Sequence, residues 1–65
     1  MAVVEIKVTD ELQIGEIINK YGIVYEVIDI NKKYIHPVYT IEDTKTNEKK
    51  ELTIIELAGG VRIEK

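Results

Sequence analysis

The stretch Thr9–Ile30, TDELQIGEIINKYGIVYEVIDI, decides the fold, because it supports two incompatible readings. As a helix over about residues 10–21, it places Ile14, Ile17, Ile18 and Tyr21 at i, i+3, i+4 and i+7. Thr9 or Asp10 then caps the start, and Gly22 lies just past the end. As strands, it puts Leu12 and Ile14 on one face and gives Asn19-Lys20-Tyr21-Gly22 turn chemistry, while IVYEVIDI is rich in β-formers from Ile23 to Ile30. Against the helix stand Gly15, which costs a helix interior roughly 1 kcal/mol, and β-branched isoleucines at 14, 17, 18 and 23.

The flanking sequence favours strands. Val4, Ile6 and Val8 alternate with Glu5, Lys7 and Thr9, so residues 3–8 form a half-buried strand. Downstream, YIHPVYTIED is a long extended run in which Pro37 marks an edge or a bulge. TKTNEKK is a polar hairpin loop, after which KELTI resumes the strand. Thr53-Ile54-Ile55-Glu56 fits the S/T-x-x-E capping box, and Leu57-Ala58-Gly59-Gly60 ends one helical or 3₁₀ turn with glycine. VRIEK closes as a short strand with Val61 and Ile63 facing inward. The expectation is an all-β domain of five to six strands with one helical turn before the last. Leu12–Ile18 and Ile23–Ile30 are then two of its strands. The alternative is an α+β fold with a helix at about residues 10–21.

GIVYEVIDI, VYTIEDTKTNEKKELTIIEL and VRIEK together resemble the central hairpins, the 3₁₀ turn and the last strand of SH3-like small barrels. Tudor, chromo-barrel and KOW domains and small phage or prokaryotic proteins are built on that plan. The resemblance spans about residues 12–65 and implies a closed β-barrel that acts by binding. With neither Trp nor Phe present, it assigns no aromatic cage for methylated side chains.

A chain of 65 residues forms one small domain, residues 1–65, of a size that buries only about 60% of its unfolded surface. Without cysteine it has no disulfide, no thiolate nucleophile and no Cys-based metal site. His36 is the single histidine, and a zinc site would need carboxylates or a second chain around it. Asp29-Ile30-Asn31 starts like a calcium loop but lacks the glycine at loop position six and the glutamate at position twelve. Serine is also absent, so nucleophilic catalysis has few parts. Glu42 and Asp43 point to opposite faces of a strand. Gly59-Gly60 matches no phosphate loop and reads as a helix C-cap. No catalytic, metal or cofactor-binding residues are expected.

Nine basic and twelve acidic side chains give a net charge of −3. A general nucleic-acid binder presents a basic face, whereas Lys32, Lys33, Lys45, Lys49 and Lys50 each lie close to acids. The acids Asp10, Glu11, Glu16, Glu42, Asp43, Glu48, Glu51 and Glu56 suggest a solvated face, or an acidic inhibitor that occupies a nucleic-acid-binding groove. MAVVEIKV builds no apolar signal segment, and no apolar run has membrane-spanning length, so a cytoplasmic location is expected. The isoleucine- and lysine-rich composition suits an AT-rich genome, such as that of a phage. Among the four tyrosines, Tyr25 is expected in the core, while Tyr21 and Tyr34 lie beside turns. The function expected is protein–protein recognition by Tyr21, Ile23, Tyr34 and Val38, with homodimerisation as an accompaniment. A nucleic-acid-associated KOW- or Tudor-like barrel is the alternative.

Overall fold

Turn chemistry, rather than helical periodicity, governs Thr9–Ile30. The computed structural model describes residues 2–64, and in it no helix forms over residues 10–21. Tyr21 and Gly22 both take positive φ (56° and 75°), the signature of a two-residue type I′ hairpin turn. That turn joins β2 (Ile17–Lys20) to β3 (Ile23–Asn31), with Lys20 opposite Ile23. Gly15 takes φ 95°, and the Glu16 amide donates to the Gln13 carbonyl at 3.1 Å. Glycine at the third position of such a turn fits type II.

The expected strand Leu12–Ile18 is therefore cut short. Its last part pairs with β3, first through the Gly15 amide on the Val27 carbonyl (2.8 Å) and the Val27 amide on the Glu16 carbonyl (2.9 Å). A register shift between Val27 and Asp29 makes Ile28 a bulge at this point, so one β3 residue has no partner and the strand bends.

The remaining elements are β1 (Ala2–Glu5), β4 (Val38–Asp43), β5 (Lys49–Thr53), α1 (Ile54–Leu57) and β6 (Val61–Glu64). All pairings are antiparallel, in one six-stranded sheet of order β1-β6-β2-β3-β4-β5. The sheet is not closed, so the expected barrel ring is incomplete: β1 and β5 remain its edges. The N-terminal strand covers the edge of β6, and it ends at Glu5 rather than at residue 8. Val8 lies exposed in a turn. The extended run before β4 also begins later than its composition suggests. Residues 33–36 bend, and pairing starts at Val38, just after Pro37.

The β4–β5 hairpin is held by Asp43. Its carboxylate accepts the Lys45 amide at 2.8 Å and the Thr46 amide at 3.4 Å, while Asn47 takes φ 64°. At the other end of β5, the Thr53 amide donates to Glu56 Oε1 at 3.4 Å, the glutamate arm of the capping box. Helix α1 then lays Ile54 and Leu57 into the core.

That core comprises Ile6, Leu12, Ile18, Tyr25, Val27, Tyr39, Ile41, Ile54 and Leu57, with Tyr25 buried as the sequence suggests. Register assigns the faces of β6. Val4, Arg62, Ile18 and Tyr25 are successive cross-strand partners and share the inner face. Val61 and Ile63 align with Asn19 and Ile17 on the outer face, so the inward residue of β6 is Arg62. Its guanidinium reaches the Glu16 carboxylate, both side chains being about four-fifths buried. Charge neutralisation by Glu16 makes an inward arginine tolerable.

Two outcomes follow for stability. A Cβ at the buried Gly60 would stand 2.9 Å from the Asn19 carbonyl oxygen. Gly60→Ala should therefore cost about 1–3 kcal/mol in denaturant melts, as overpacking does. The backbone amides, led by that of Lys45, hold the Asp43 carboxyl below the ordinary aspartate range. A depressed folded value means stabilisation present above the unfolded value and lost as pH falls through the folded one. Asp43→Ala should destabilise the protein at pH 7, and the gap to wild type should shrink as pH falls below the ordinary aspartate value and close below the lowered folded one. A gap that persists there would exclude the carboxylate as its cause.

Candidate functional site

The end of the sheet where β3 runs into β4 carries an apolar surface built by two loops. In the first, the Gln13–Glu16 turn is fixed from below by Gly15 on β3 and laterally by the Gln13 amide on Glu16 Oε2 at 3.0 Å. The turn holds Ile14 out in solvent. Leu12 behind it is buried, and its amide donates to the Tyr39 hydroxyl at 3.2 Å. That bond ties the loop to β4.

The second loop runs from Lys32 to Pro37. Asn31 Oδ1 accepts the Lys33 amide at 3.0 Å, an Asx turn that bends the chain out of β3. Asp29 and Asn31 thus serve local backbone bonds. Among the described residues, no group of three or more metal-ligating side chains gathers here or elsewhere. Residues 32–36 are all exposed, and Ile35 is 97% exposed. His36 lies in this loop rather than in a strand.

Tyr34 and Ile35 separate two recesses. One is an open cleft of about 590 Å³ between the two loops, floored by Leu12, Ile30 and Tyr39 and walled by Ile14 and Pro37, with Glu11 and Lys32 at its polar margin. The other, about 420 Å³, lies on the far side of Ile35 against His36, Val38 and Thr53. Volumes of a few hundred Å³ suit a ligand or an inserted side chain; the cleft mixes polar and apolar lining, and the second recess is almost wholly apolar.

The four residues that sequence reasoning assigns to partner binding fall into two separate pairs. Tyr34 and Val38 line the recesses. Tyr21 and Ile23 stand at the opposite end of β3, eight residues away along the strand, about 25 Å at the usual rise. Tyr21 is 88% exposed at the hairpin tip, with Lys20 Nζ 5.3 Å from its ring centroid. Ile14 and Ile35 are the residues that sequence reasoning missed. Ile14 is signalled by its place beside Gly15 in a turn, whereas Ile35 sits in an apolar run that reads as buried strand.

With this geometry in view, comparison with known proteins gives no relative: no family model, no curated protein and no solved structure matches the chain significantly. Among the described residues, no helix is long and apolar enough to cross a membrane.

The Leu12–Tyr39 bond makes the cleft floor testable. Tyr39→Phe leaves a buried backbone donor without its acceptor, which should cost about 1–3 kcal/mol. Amide exchange at Leu12 should accelerate together with the loss of stability. Tyr34→Phe, whose ring is exposed, should leave both unchanged.

Proposed function

We propose that this protein is a non-enzymatic binding module that captures a protein partner with the Lys32–Pro37 loop and its flanking recesses. The observation that carries the reading is the placement of Tyr34 and Ile35, 62% and 97% exposed, between a cleft of mixed polar and apolar lining and a second, apolar recess. Exposed apolar side chains grouped in this way mark interaction surfaces, and single scattered ones do not. Tyrosine supplies rigid amphipathic area at low entropic cost.

The plan behind the module is, on this reading, SH3-like but open. The four strands β2 to β5 follow one another as a meander, a helical turn precedes β6, and β6 returns to pair with β2. Those features support the kinship, and β1 is then an addition outside it. A cytoplasmic site of action and a phage or prokaryotic origin accord with the cysteine-free, isoleucine-rich composition.

A second reading, nucleic-acid association, is favoured by one feature: Lys32, Lys33 and His36 surround Tyr34 on the same exposed loop. Such interleaving suits phosphate contact and base stacking. The net charge of −3 weighs against it.

Affinity capture from cells that encode the protein separates the two pairs of residues. The Tyr34→Ala/Ile35→Ala double variant should weaken the captured protein by about 2 kcal/mol or more, the size of a hot-spot loss, with an unchanged melting temperature. Tyr21→Ala should bind as wild type. Equal loss from Tyr21→Ala would move the site to the hairpin tip. A shift of short RNA or DNA at ~150 mM salt, abolished by Lys32→Ala/Lys33→Ala, would establish the second reading instead.

A further inference from the structure

The outer face of the sheet carries a pattern that core packing does not require. Cross-strand register places Val3, Ile63, Ile17, Glu26, Glu42 and Lys49 in one row across all six strands. The adjoining row runs Glu5, Val61, Asn19, Val24. Beyond the bulge, Asp29, Thr40 and Glu51 continue the same face. One half of this face is thus aliphatic, centred on Ile17 and Ile63. The other half is acidic, with a single lysine. Helix α1 and the loop after β1 pack on the inner side through Ile54, Leu57, Ile6 and Leu12.

Glu26 and Glu42 stand directly opposite each other in the ladder. Like charges in that position destabilise a sheet; Lys49 stands opposite Glu42 on its other side, and further positive charge brought against Glu26 relieves the remaining repulsion. The same chain presents such a cation source. Lys32 and Lys33 flank Tyr34 and Ile35 on the exposed loop, a basic and apolar segment that matches an acidic and apolar face.

We propose that the Lys32–His36 loop of one copy docks on the outer sheet face of a second copy. Ile35 and Tyr34 cover Ile17 and Ile63, while Lys32 and Lys33 lie against Glu26 and Glu42. This rests on the binding role given above to the loop and names its partner as the protein itself. Loop and face are different patches, so two copies either exchange both contacts about a two-fold axis or associate head to tail in a longer chain. A five-residue loop covers less area than a stable dimer buries, so the association is weak and salt-sensitive.

Sedimentation equilibrium tests it by charge exchange. Wild type at up to ~1 mM, a concentration suited to weak contacts, should rise above its 7.5 kDa monomer mass. The rise should shrink at high salt. Lys32→Glu/Lys33→Glu and Glu26→Lys/Glu42→Lys, both checked for native circular dichroism, should each remain monomeric. An equimolar mixture of the two should associate again, because each reversed loop then meets a reversed face.

Monomeric wild type at ~1 mM, variants that associate as wild type does, or a mixture that stays monomeric would each overturn the proposal. If wild type is monomeric and a lysine-rich peptide shifts the amide resonances of Ile17 and Glu26, the face belongs to a different basic protein. The loop's own role is read separately: loss of captured partner in the Tyr34→Ala/Ile35→Ala variant stands or falls whatever the mass of the wild type.

Discussion

The approach of Gly60 to the Asn19 carbonyl is the contact on which the sheet depends. At that point the chain leaves α1 and enters β6, the strand that joins β1 to the rest of the sheet. The space is set by backbone on two sides, Asn19 and Leu57, and by Lys20 Cβ on a third, so no flexible side chain can yield to a methyl group. Ile6 fastens the same point from the N-terminal side. Its amide donates to the Gly60 carbonyl at 2.9 Å, and its carbonyl accepts the Gly59 amide at 3.2 Å. Lys20 adds a long bond of 3.5 Å from Nζ to the Ala58 carbonyl. Three segments distant in sequence, around Ile6, Asn19-Lys20 and Leu57-Gly60, therefore meet at one residue that lacks a side chain.

How much of this was legible follows from the range of each interaction. The hairpins could be read because turn chemistry is local: Tyr21-Gly22 needs positive φ, Asp43 accepts amides two and three residues on, and Glu56 reaches back to Thr53. The inward side of β6 could not. Val61 and Ile63 are its apolar residues, yet alternation fixes only that they oppose Arg62. Which set faces the core is settled by register with Ile18, more than forty residues earlier, and by Glu16, which lies 46 residues away and neutralises the arginine. The Ile28 bulge is likewise a property of the β3–β4 pairing rather than of either strand.

The same division applies to the site. Tyr34 was legible as a tyrosine beside a turn. Ile35 was not, because YIHPVY has the composition of a buried strand, and only the start of β4 pairing at Val38 leaves it outside. Tyr21 had the same local credentials as Tyr34. What separates them is the length of β3, which carries one to each end of the molecule, together with the recesses that exist at one end.

Charge is arranged in a similar way, and the net value conceals it. The exposed loop is basic, the outer face beside the β3–β4 ladder is acidic, and the two partly cancel in a total of −3. At physiological ionic strength charges interact strongly only within about 8 Å. A partner touching one region of a molecule that extends 30 Å along its longest axis therefore responds to that region's sign and scarcely to the total. The acidic total thus argues against a phosphate-tracking surface over the whole protein while leaving the Lys32–His36 loop free to seek an acidic and apolar counterpart.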